Sequence, residues 1–229
     1  ELHLIVANDI TATDSGFATD DNRVVLLDWS GEVEELPLLP LTDYSKYKAL
    51  CEEVLLKKRE PGFFPLILRP ATVCGFSPRL RLDLIVNILT NHAVNNREIR
   101  VFGGGQKRPS IHIGDVTDLY VKSLEWADED VDGQVFNAGY DNHTVMETAE
   151  MVRDRVGQDV GVTVVPTDDH RSYHISSEKI RRRLGFVPNR SIDEAVGDQL
   201  QQWTDQYPTF FYPRYLLGQW HHLAGHADE

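Results

Sequence analysis

Blocks of apolar residues predict a strand, a helix and a second strand in the first part of the chain. Residues 2–7 form a short apolar run typical of a parallel strand buried on both faces. After a polar, turn-rich stretch, apolar side chains recur at helical spacing over residues 44–58, and residues 63–73 form the next apolar run. This order predicts the parallel crossover of a doubly wound α/β sheet.

Shorter periodic segments follow in the remainder of the chain. Helical spacing covers residues 80–93, 116–126, 145–156 and 177–184, and short strands are predicted at 99–102, 134–138 and 162–165. Such a mixed order predicts a smaller α/β lobe folded against the open sheet.

Composition narrows the classes of partner. A formal net charge of −13 repels nucleic-acid phosphates, and Arg181, Arg182 and Arg183 are too few to form a basic face, so we expect no nucleic-acid polymer as a partner. The sequence contains neither an apolar run long enough to span a bilayer nor a signal-peptide pattern at its start, which predicts a cytoplasmic protein without a membrane partner. Cys51 and Cys74 do not make a disulfide framework.

Tyr44 and Lys48 are the first candidate catalytic pair. Residues four apart at the start of a helix project from one face and can point into one cleft. A tyrosine that acts as a base near neutral pH needs a nearby positive charge to stabilise its phenolate, and Lys48 supplies one. The alternative is a surface tyrosine beside a solvated lysine. The position of the pair between two buried strands favours the catalytic interpretation.

Several segments together resemble a known family. Tyr44-Ser45-Lys46-Tyr47-Lys48 is similar to the Tyr-x-x-x-Lys motif of the extended short-chain dehydrogenases, in particular the NAD-dependent sugar-nucleotide epimerases and dehydratases. Residues 68–75 (LRPATVCG) resemble the family's strand-end motif, and residues 102–116 (FGGGQKRPSIHIGDV) resemble its segment in the substrate-binding lobe. The resemblance extends to about Trp203.

The resemblance implies roles for individual residues and a cofactor, NAD, with NADP as the open alternative. Tyr44 is the acid or base at a sugar hydroxyl, Lys48 contacts the nicotinamide ribose, and Thr13 is the third catalytic residue, with Thr11 as a rival. The implied cofactor contacts are Tyr44, Lys48, Pro70, Ala71 and Val73. The implied substrate contacts are Thr13, Thr72, Arg81, Asp83, Arg108 and Arg171.

The resemblance also implies a nucleoside-diphosphate sugar as substrate and a homodimer formed through the helix that bears Tyr44. Arg108 is the candidate for the diphosphate, since a guanidinium can bond two phosphate oxygens at once, and Arg171 is a lesser candidate. No metal site is predicted, because the histidines of the tail at 206–229 have no matching second ligand group.

The family's glycine-rich turn after a first strand is not found in this sequence. Residues 103–105 are three glycines, but they lack the required spacing and are expected to form a turn. Roughly a hundred residues of an ordinary family member would precede residues 2–7, so we expect an N-terminally incomplete Rossmann-like domain with its late strands only. This domain takes residues 1–75, and residues 76–205 form mainly the substrate-binding lobe, with some segments returning to the sheet.

The reaction expected from the resemblance is epimerisation or reduction of a keto-sugar nucleotide. Dehydratases of the family place a glutamate two residues after the active-site threonine, whereas the order here is Thr13, Asp14, Ser15. Ser15 cannot deliver a proton as a carboxylic acid does, which makes dehydration the alternative. Two further alternatives are a non-catalytic binding or scaffold protein with the same fold and an amino-acid or other small-alcohol dehydrogenase of the same fold.

Overall fold

The computed structural model describes residues 5–7, 34, 43–168, 172 and 175–206. The strands are β1 (Ile5–Ala7), β2 (Leu66–Pro70), β3 (Thr72–Cys74), β4 (Glu98–Phe102), β5 (Lys107–His112), β6 (Val135–Ala138), β7 (Asp141–Thr144) and β8 (Gly161–Val165). The helices are α1 (Asp43–Lys57), α2 (Ile85–Asn96), α3 (Ile113–Ser123), α4 (Asp128–Val131), α5 (Val145–Val156), α6 (Glu178–Leu184) and α7 (Ile192–Gln206). Among these residues, no helix combines the length and apolarity needed to cross a membrane.

The predicted strand, helix and strand at the start of the chain are confirmed where the residues are described. β1 pairs with β2 in parallel, with Ile5 opposite Leu66, and α1 lies between them in the chain. β2 also pairs in parallel with β6, with Ile67 opposite Val135, which gives the sheet order β1-β2-β6. This parallel arrangement confirms the α/β class.

The prediction of one continuous strand over residues 63–73 is wrong. β2 ends at Pro70, and β3 begins at Thr72 in a different sheet of order β3-β5-β7. Proline has no backbone N–H to donate to a ladder, so hydrogen bonding cannot continue unbroken across this position. The N–H of Ala71 donates to the carbonyl of Ala138 at 2.7 Å, the last bond towards β6 before the chain changes sheets.

Two predicted helices are displaced for local reasons. The helix expected over 80–93 is α2, which begins at Ile85 and stops where Arg97 adopts a left-handed backbone with φ of 53°. The helix expected over 116–126 is α3, which begins earlier because Nδ1 of His112 accepts a hydrogen bond from the N–H of Gly114 at 2.9 Å. A side-chain cap of this kind satisfies a backbone donor that the helix itself leaves unpaired.

The described chain divides into two compact units. The first unit comprises residues 5–7, 34, 43–73, 106–143, 168, 172 and 175–190, and the second comprises 74–105, 144–167 and 191–206. The core of the first unit includes Leu66 and Leu68 of β2 and Phe136 of β6, all buried.

The second unit is built from helices packed against the parallel pair of strands β4 and β8. Its core includes Val86 and Leu89 of α2, Ile99 and Val101 of β4, Ala149 and Val152 of α5, and Ala195 and Val196 of α7. The turn expected at residues 103–105 follows β4. Gly104 has φ of 106°, a backbone conformation that favours glycine, and a Cβ there would also crowd Cγ1 of Val101 at 3.3 Å.

Candidate active site

α1 places Tyr44 and Lys48 next to each other, as the sequence predicts. The ammonium nitrogen of Lys48 lies 5.7 Å from the centre of the Tyr44 ring. Tyr44 is 58% exposed and Lys48 is half-buried, so a ligand can reach the pair. α1 thus places a cation beside a phenol, which is the combination of groups that proton transfer by a tyrosine needs.

The candidate cofactor contacts Pro70, Ala71 and Val73 lie at the point where the chain leaves the first sheet. Pro70 is the last residue of β2, Ala71 is buried, and Val73 is half-buried in β3. The carboxyl end of a parallel strand is where open α/β sheets bind ligands. The position of these residues therefore suits a ligand beside the sheet edge.

Arg69 and Glu52 form a buried ion pair that the sequence did not lead us to single out. Nε of Arg69 donates to Oε1 of Glu52 at 3.0 Å, and Nη2 donates to Oε2 at 2.6 Å. The side chains are 4% and 5% exposed. This two-bond pair joins β2 to α1. Two features of the sequence could have indicated it: an arginine inside an apolar strand and a glutamate one helical turn after Lys48.

Glu34 is also buried and contacts both β6 and the Arg69 side chain of β2. Its Oε1 accepts a hydrogen bond from the N–H of Asn137 in β6 at 2.9 Å, and its backbone carbonyl accepts one from Nη1 of Arg69 at 3.4 Å. Burial raises the pKa of the Glu34 carboxyl, while the Asn137 N–H and the charges of Lys179 and Arg69 oppose that rise. Lys179 is itself buried, with Nζ 5.3 Å from the centre of the Phe136 ring.

Arg108, the candidate diphosphate ligand, lies on β5. The sheet β3-β5-β7 places this strand beside β3, which carries Thr72 and Val73. Arg108 is half-buried, and its Nη1 donates to the carbonyl of Lys107 at 2.9 Å. The sheet therefore carries three candidates on neighbouring strands: Arg108 for the phosphate, Thr72 for the substrate and Val73 for the cofactor.

Arg81 and Asp83, two candidate substrate contacts of the second unit, bind each other. Nη2 of Arg81 lies 2.6 Å from Oδ2 of Asp83, and Nε donates to Oδ1 at 3.1 Å. This hydrogen bonding lowers the pKa of the Asp83 carboxyl. The Arg81 side chain is 64% exposed, so a phosphate could compete with Asp83 for the guanidinium.

Asn87 organises the loop that carries this pair. Its Nδ2 donates to the carbonyl of Arg81 at 2.9 Å, and its Oδ1 accepts from the N–H of Gly75 at 3.2 Å. Nε2 of Gln199 donates to the same Oδ1 at 2.7 Å. A buried amide thus fixes both ends of the loop, and only a polar residue inside an apolar helix pattern could have indicated it from sequence.

Some candidates fall outside the described residues. These are Thr13 and its rival Thr11, the neighbours Asp14 and Ser15, Arg171, and the tail at 207–229. Their assigned roles stay predictions.

The chemistry of the described residues fits the nicotinamide end of NAD. Tyr44 offers a hydroxyl and Lys48 an ammonium on an accessible helix face, and ribose hydroxyls are suitable partners for both. The glycine-rich turn that would hold the pyrophosphate is not part of this sequence.

Within the described part of the chain, no group of at least three His, Cys, Asp or Glu side chains is placed to bind a metal ion.

Two family models match the chain. One describes the NAD dependent epimerase/dehydratase family and matches residues 28–139, which include α1, β2, β3 and β5. The other describes the C-terminal domain of the DNA/pantothenate metabolism flavoprotein and matches residues 1–54.

Curated relatives are UDP-sugar epimerases at low identity. The UDP-glucose 4-epimerase of Lacticaseibacillus casei is 26% identical over 209 residues, which covers 79% of this chain and 62% of that protein. UDP-arabinose 4-epimerase 1 of Arabidopsis thaliana is 23% identical over 177 residues, which covers 67% of this chain and 42% of that protein. The chain therefore spans less than two thirds of the length of either relative.

Solved structures of similar fold belong to the same type of enzyme. The dTDP-glucose 4,6-dehydratase of Bacillus anthracis, in complex with NAD, has a TM-score of 0.69 at 19% identity and covers 93% of this chain and 64% of its own. The UDP-glucuronic acid 4-epimerase of Bacillus cereus has a TM-score of 0.67 at 20% identity, with 90% and 62% covered. At these identities the likeness shows the fold, which is that of Rossmann-type short-chain dehydrogenases, as the sequence predicts.

Proposed function

We propose that this chain, whose residues 28–139 belong to the NAD dependent epimerase/dehydratase family, is the catalytic part of an NAD-dependent epimerase of a nucleoside-diphosphate sugar. The observation that carries the proposal is the Lys48 ammonium 5.7 Å from the Tyr44 ring on an accessible face of α1. A reductase of a keto-sugar nucleotide would use the same pair in one direction only.

The chain's own residues handle the proton of the reaction. The cofactor, when bound, supplies reversible hydride transfer at a sugar carbon. Tyr44 takes the proton of the sugar hydroxyl as that carbon becomes a ketone and returns it when the hydroxyl forms again. Lys48 stabilises the phenolate that takes this proton and that forms again when the proton is returned, and it holds the nicotinamide ribose, while Thr13 lends its hydroxyl to the proton path.

The substrate is bound by arginines because the protein as a whole is acidic. A net charge of −13 disfavours a diphosphate, so local guanidinium groups must hold it. We assign this task to Arg108, supported by Arg171, and a second contact to the loop of Arg81 and Asp83. Thr72 follows Pro70 and Ala71 in the chain and is assigned to the sugar.

Epimerisation is preferred to dehydration on two grounds. The curated relatives are UDP-sugar 4-epimerases, and Ser15 stands where a dehydratase requires a glutamate. The dehydratase stays the second candidate, because a dTDP-glucose 4,6-dehydratase shares the fold. A cytoplasmic location and a substrate lobe made mainly of residues 76–205 are also proposed from the sequence.

We also propose a homodimer formed through α1. Leu50 and Val54 lie one turn apart on this helix and are 50% and 55% exposed. Exposed apolar side chains in a row on one helix face favour helix–helix association. Light scattering of the double variant Leu50→Glu, Val54→Glu is expected to give a monomer, and an unchanged mass would contradict this assembly.

The catalytic proposal is tested with the full-length protein, NAD and a panel of nucleoside-diphosphate hexoses, with products identified by NMR. Tyr44→Phe and Lys48→Met are expected to lower kcat by about 10²–10⁴-fold, the contribution of a positioned acid–base group. Tyr47→Phe and Lys46→Met are matched controls on the same helix, since Tyr47 is 70% exposed and Lys46 forms an exposed pair with Asp43.

Three outcomes would redirect the proposal. Loss of water from the sugar would favour the dehydratase. Oxidation of a small alcohol without nucleotide competition would favour the other dehydrogenase. Full-length protein that binds no nicotinamide would favour the scaffold protein.

A further inference from the structure

α1 carries the candidate catalytic pair but has almost no apolar anchor of its own. Glu52 is the only buried residue of this helix, which is described along its whole length. Large apolar residues of α1, including Leu50 and Val54, are exposed. Hydrophobic packing normally fixes the rotation of a helix about its axis. The packing proposed above for Leu50 and Val54 is against a partner subunit, so within one subunit another interaction has to hold α1 against β2.

The two-bond contact between Glu52 and Arg69 is suited to this task. Two parallel hydrogen bonds, of 2.6 Å and 3.0 Å, define an orientation as well as a distance. Glu52 follows Lys48 by four residues and Tyr44 by eight, so all three project from the same side of the helix. Arg69 is directly followed by Pro70 and Ala71, where the cofactor contacts are proposed. The ion pair thus connects the two parts of the candidate site.

Glu34 holds Arg69 from a second direction. Its backbone carbonyl accepts from Nη1 of Arg69, and its carboxylate is bound to the N–H of Asn137 on the neighbouring strand. Arg69 therefore contacts α1 through its Nε and Nη2 and residue 34 through its Nη1. The guanidinium is thus held from two sides, which limits how far it can follow a movement of α1.

We infer that Glu52 and Glu34, acting through Arg69, are positioning residues that set the orientation of Tyr44 and Lys48 toward the carboxyl end of β2. The inference rests on the proposed function. Side-chain ends lie about 5–6 Å from a helix axis, so a rotation of about 10° moves them by about 1 Å. A misplacement of about 1 Å in a reacting group can cost about 100-fold in rate.

The first test compares Glu52→Gln with Glu53→Gln in the full-length enzyme. Glu53 is the adjacent residue and is exposed. Its ion pair is with Lys57, which is exposed as well, so Glu53 is a matched control for the buried Glu52. Glu52→Gln is expected to lower kcat by about 100-fold with little change in KM, and to shift the acid limb of the pH–rate profile, because Lys48 no longer faces the phenol. Glu53→Gln is expected to leave kcat, KM and the pH–rate profile unchanged. A normal kcat for Glu52→Gln would overturn the inference.

A second variant separates positioning from stability. Replacing both partners of a buried ion pair by apolar residues is often neutral for stability, so Glu52→Leu combined with Arg69→Met is expected to recover the melting temperature but not kcat. Recovery of both would mean that the pair only stabilises the fold, and the inference would be wrong.

Amide hydrogen exchange keeps the inference distinct from the proposed function. Glu52→Gln is expected to speed exchange throughout residues 43–57, whereas Glu53→Gln is not. If the wild-type enzyme shows no epimerase or reductase activity, the proposed function fails while this measurement still tests the anchoring of α1. Unchanged exchange in Glu52→Gln would refute the anchoring itself.

Discussion

The helices α1 and α5 are held in their units by opposite means. α5 buries Val145, Ala149 and Val152 against an apolar core, and Thr144 begins it with a capping box to Glu147. α1 buries a single charged residue, Glu52, and that residue is paired with Arg69. The scaffold helix depends on non-directional apolar burial, whereas the helix with the candidate catalytic pair depends on directional hydrogen bonds.

This difference shows why a site helix need not resemble a core helix. Apolar burial favours no particular direction, because its energy follows the apolar area removed from water. A two-bond ion pair does favour one orientation, since its energy depends on distance and angle. It also carries a risk, because loss of one partner leaves a buried charge without compensation.

The largest expected effect comes from Arg69→Met, which breaks the anchor of α1 from one side. Glu52 and Glu34 would then be buried without the guanidinium, and we expect the free energy of unfolding to fall by about 3–5 kcal/mol. Urea unfolding measures it. Arg59→Met is the control, because Arg59 is 55% exposed in its pair with Asp132 and should cost about 0–1 kcal/mol. Equal losses in the two variants would remove the distinction between a buried anchor and a surface pair.

A smaller effect is expected from Val152→Ala in α5. Val152 is fully buried, so the variant loses apolar burial and leaves a cavity, at a cost of about 1–3 kcal/mol. Val164→Ala is the control, since Val164 is 55% exposed on β8 and should change stability by less than about 0.5 kcal/mol. We expect kcat to be unchanged in both. A large loss of kcat in Val152→Ala at a temperature where it is folded would contradict the division of tasks between the helices.

The same contrast explains which elements the sequence could predict. The pattern predicts α5 at residues 145–156 with its observed bounds, because an apolar face leaves a periodic signal. It also predicts α1 to within one residue at each end, but it does not indicate which face is buried. β5, β7, α4 and α7 were not predicted. α4 has only four residues, too few for a period to be recognised. α7 is long enough, and its buried apolar residues Ile192, Ala195, Val196 and Trp203 recur at helical spacing, so the sequence does contain a signal for this helix.

Only the parts of the candidate site that a local sequence motif specifies could be predicted. Tyr44 and Lys48 lie together as expected, because their four-residue spacing is a local property of the helix. The contacts of Arg69 with Glu52 and of Glu34 with Asn137 join residues far apart in the chain, and no spacing rule encodes them. The assignment of Thr13 and Arg171 stays a prediction, since both lie outside the described residues.

The smallest expected effect is a pH dependence of stability that comes from the Glu34 carboxyl, whose residue contacts Arg69 through its backbone carbonyl. Burial raises the pKa of Glu34 above 4.5, so the folded state favours the protonated acid. Its contribution to stability is complete below pH 4.5 and is lost as the pH rises through the raised pKa. The melting temperature of Glu34→Gln, relative to wild type, should therefore increase as the pH rises from 4.5. Glu53→Gln provides the control for removal of an exposed carboxylate, and a difference that falls with rising pH would show that Lys179 and Arg69 outweigh burial.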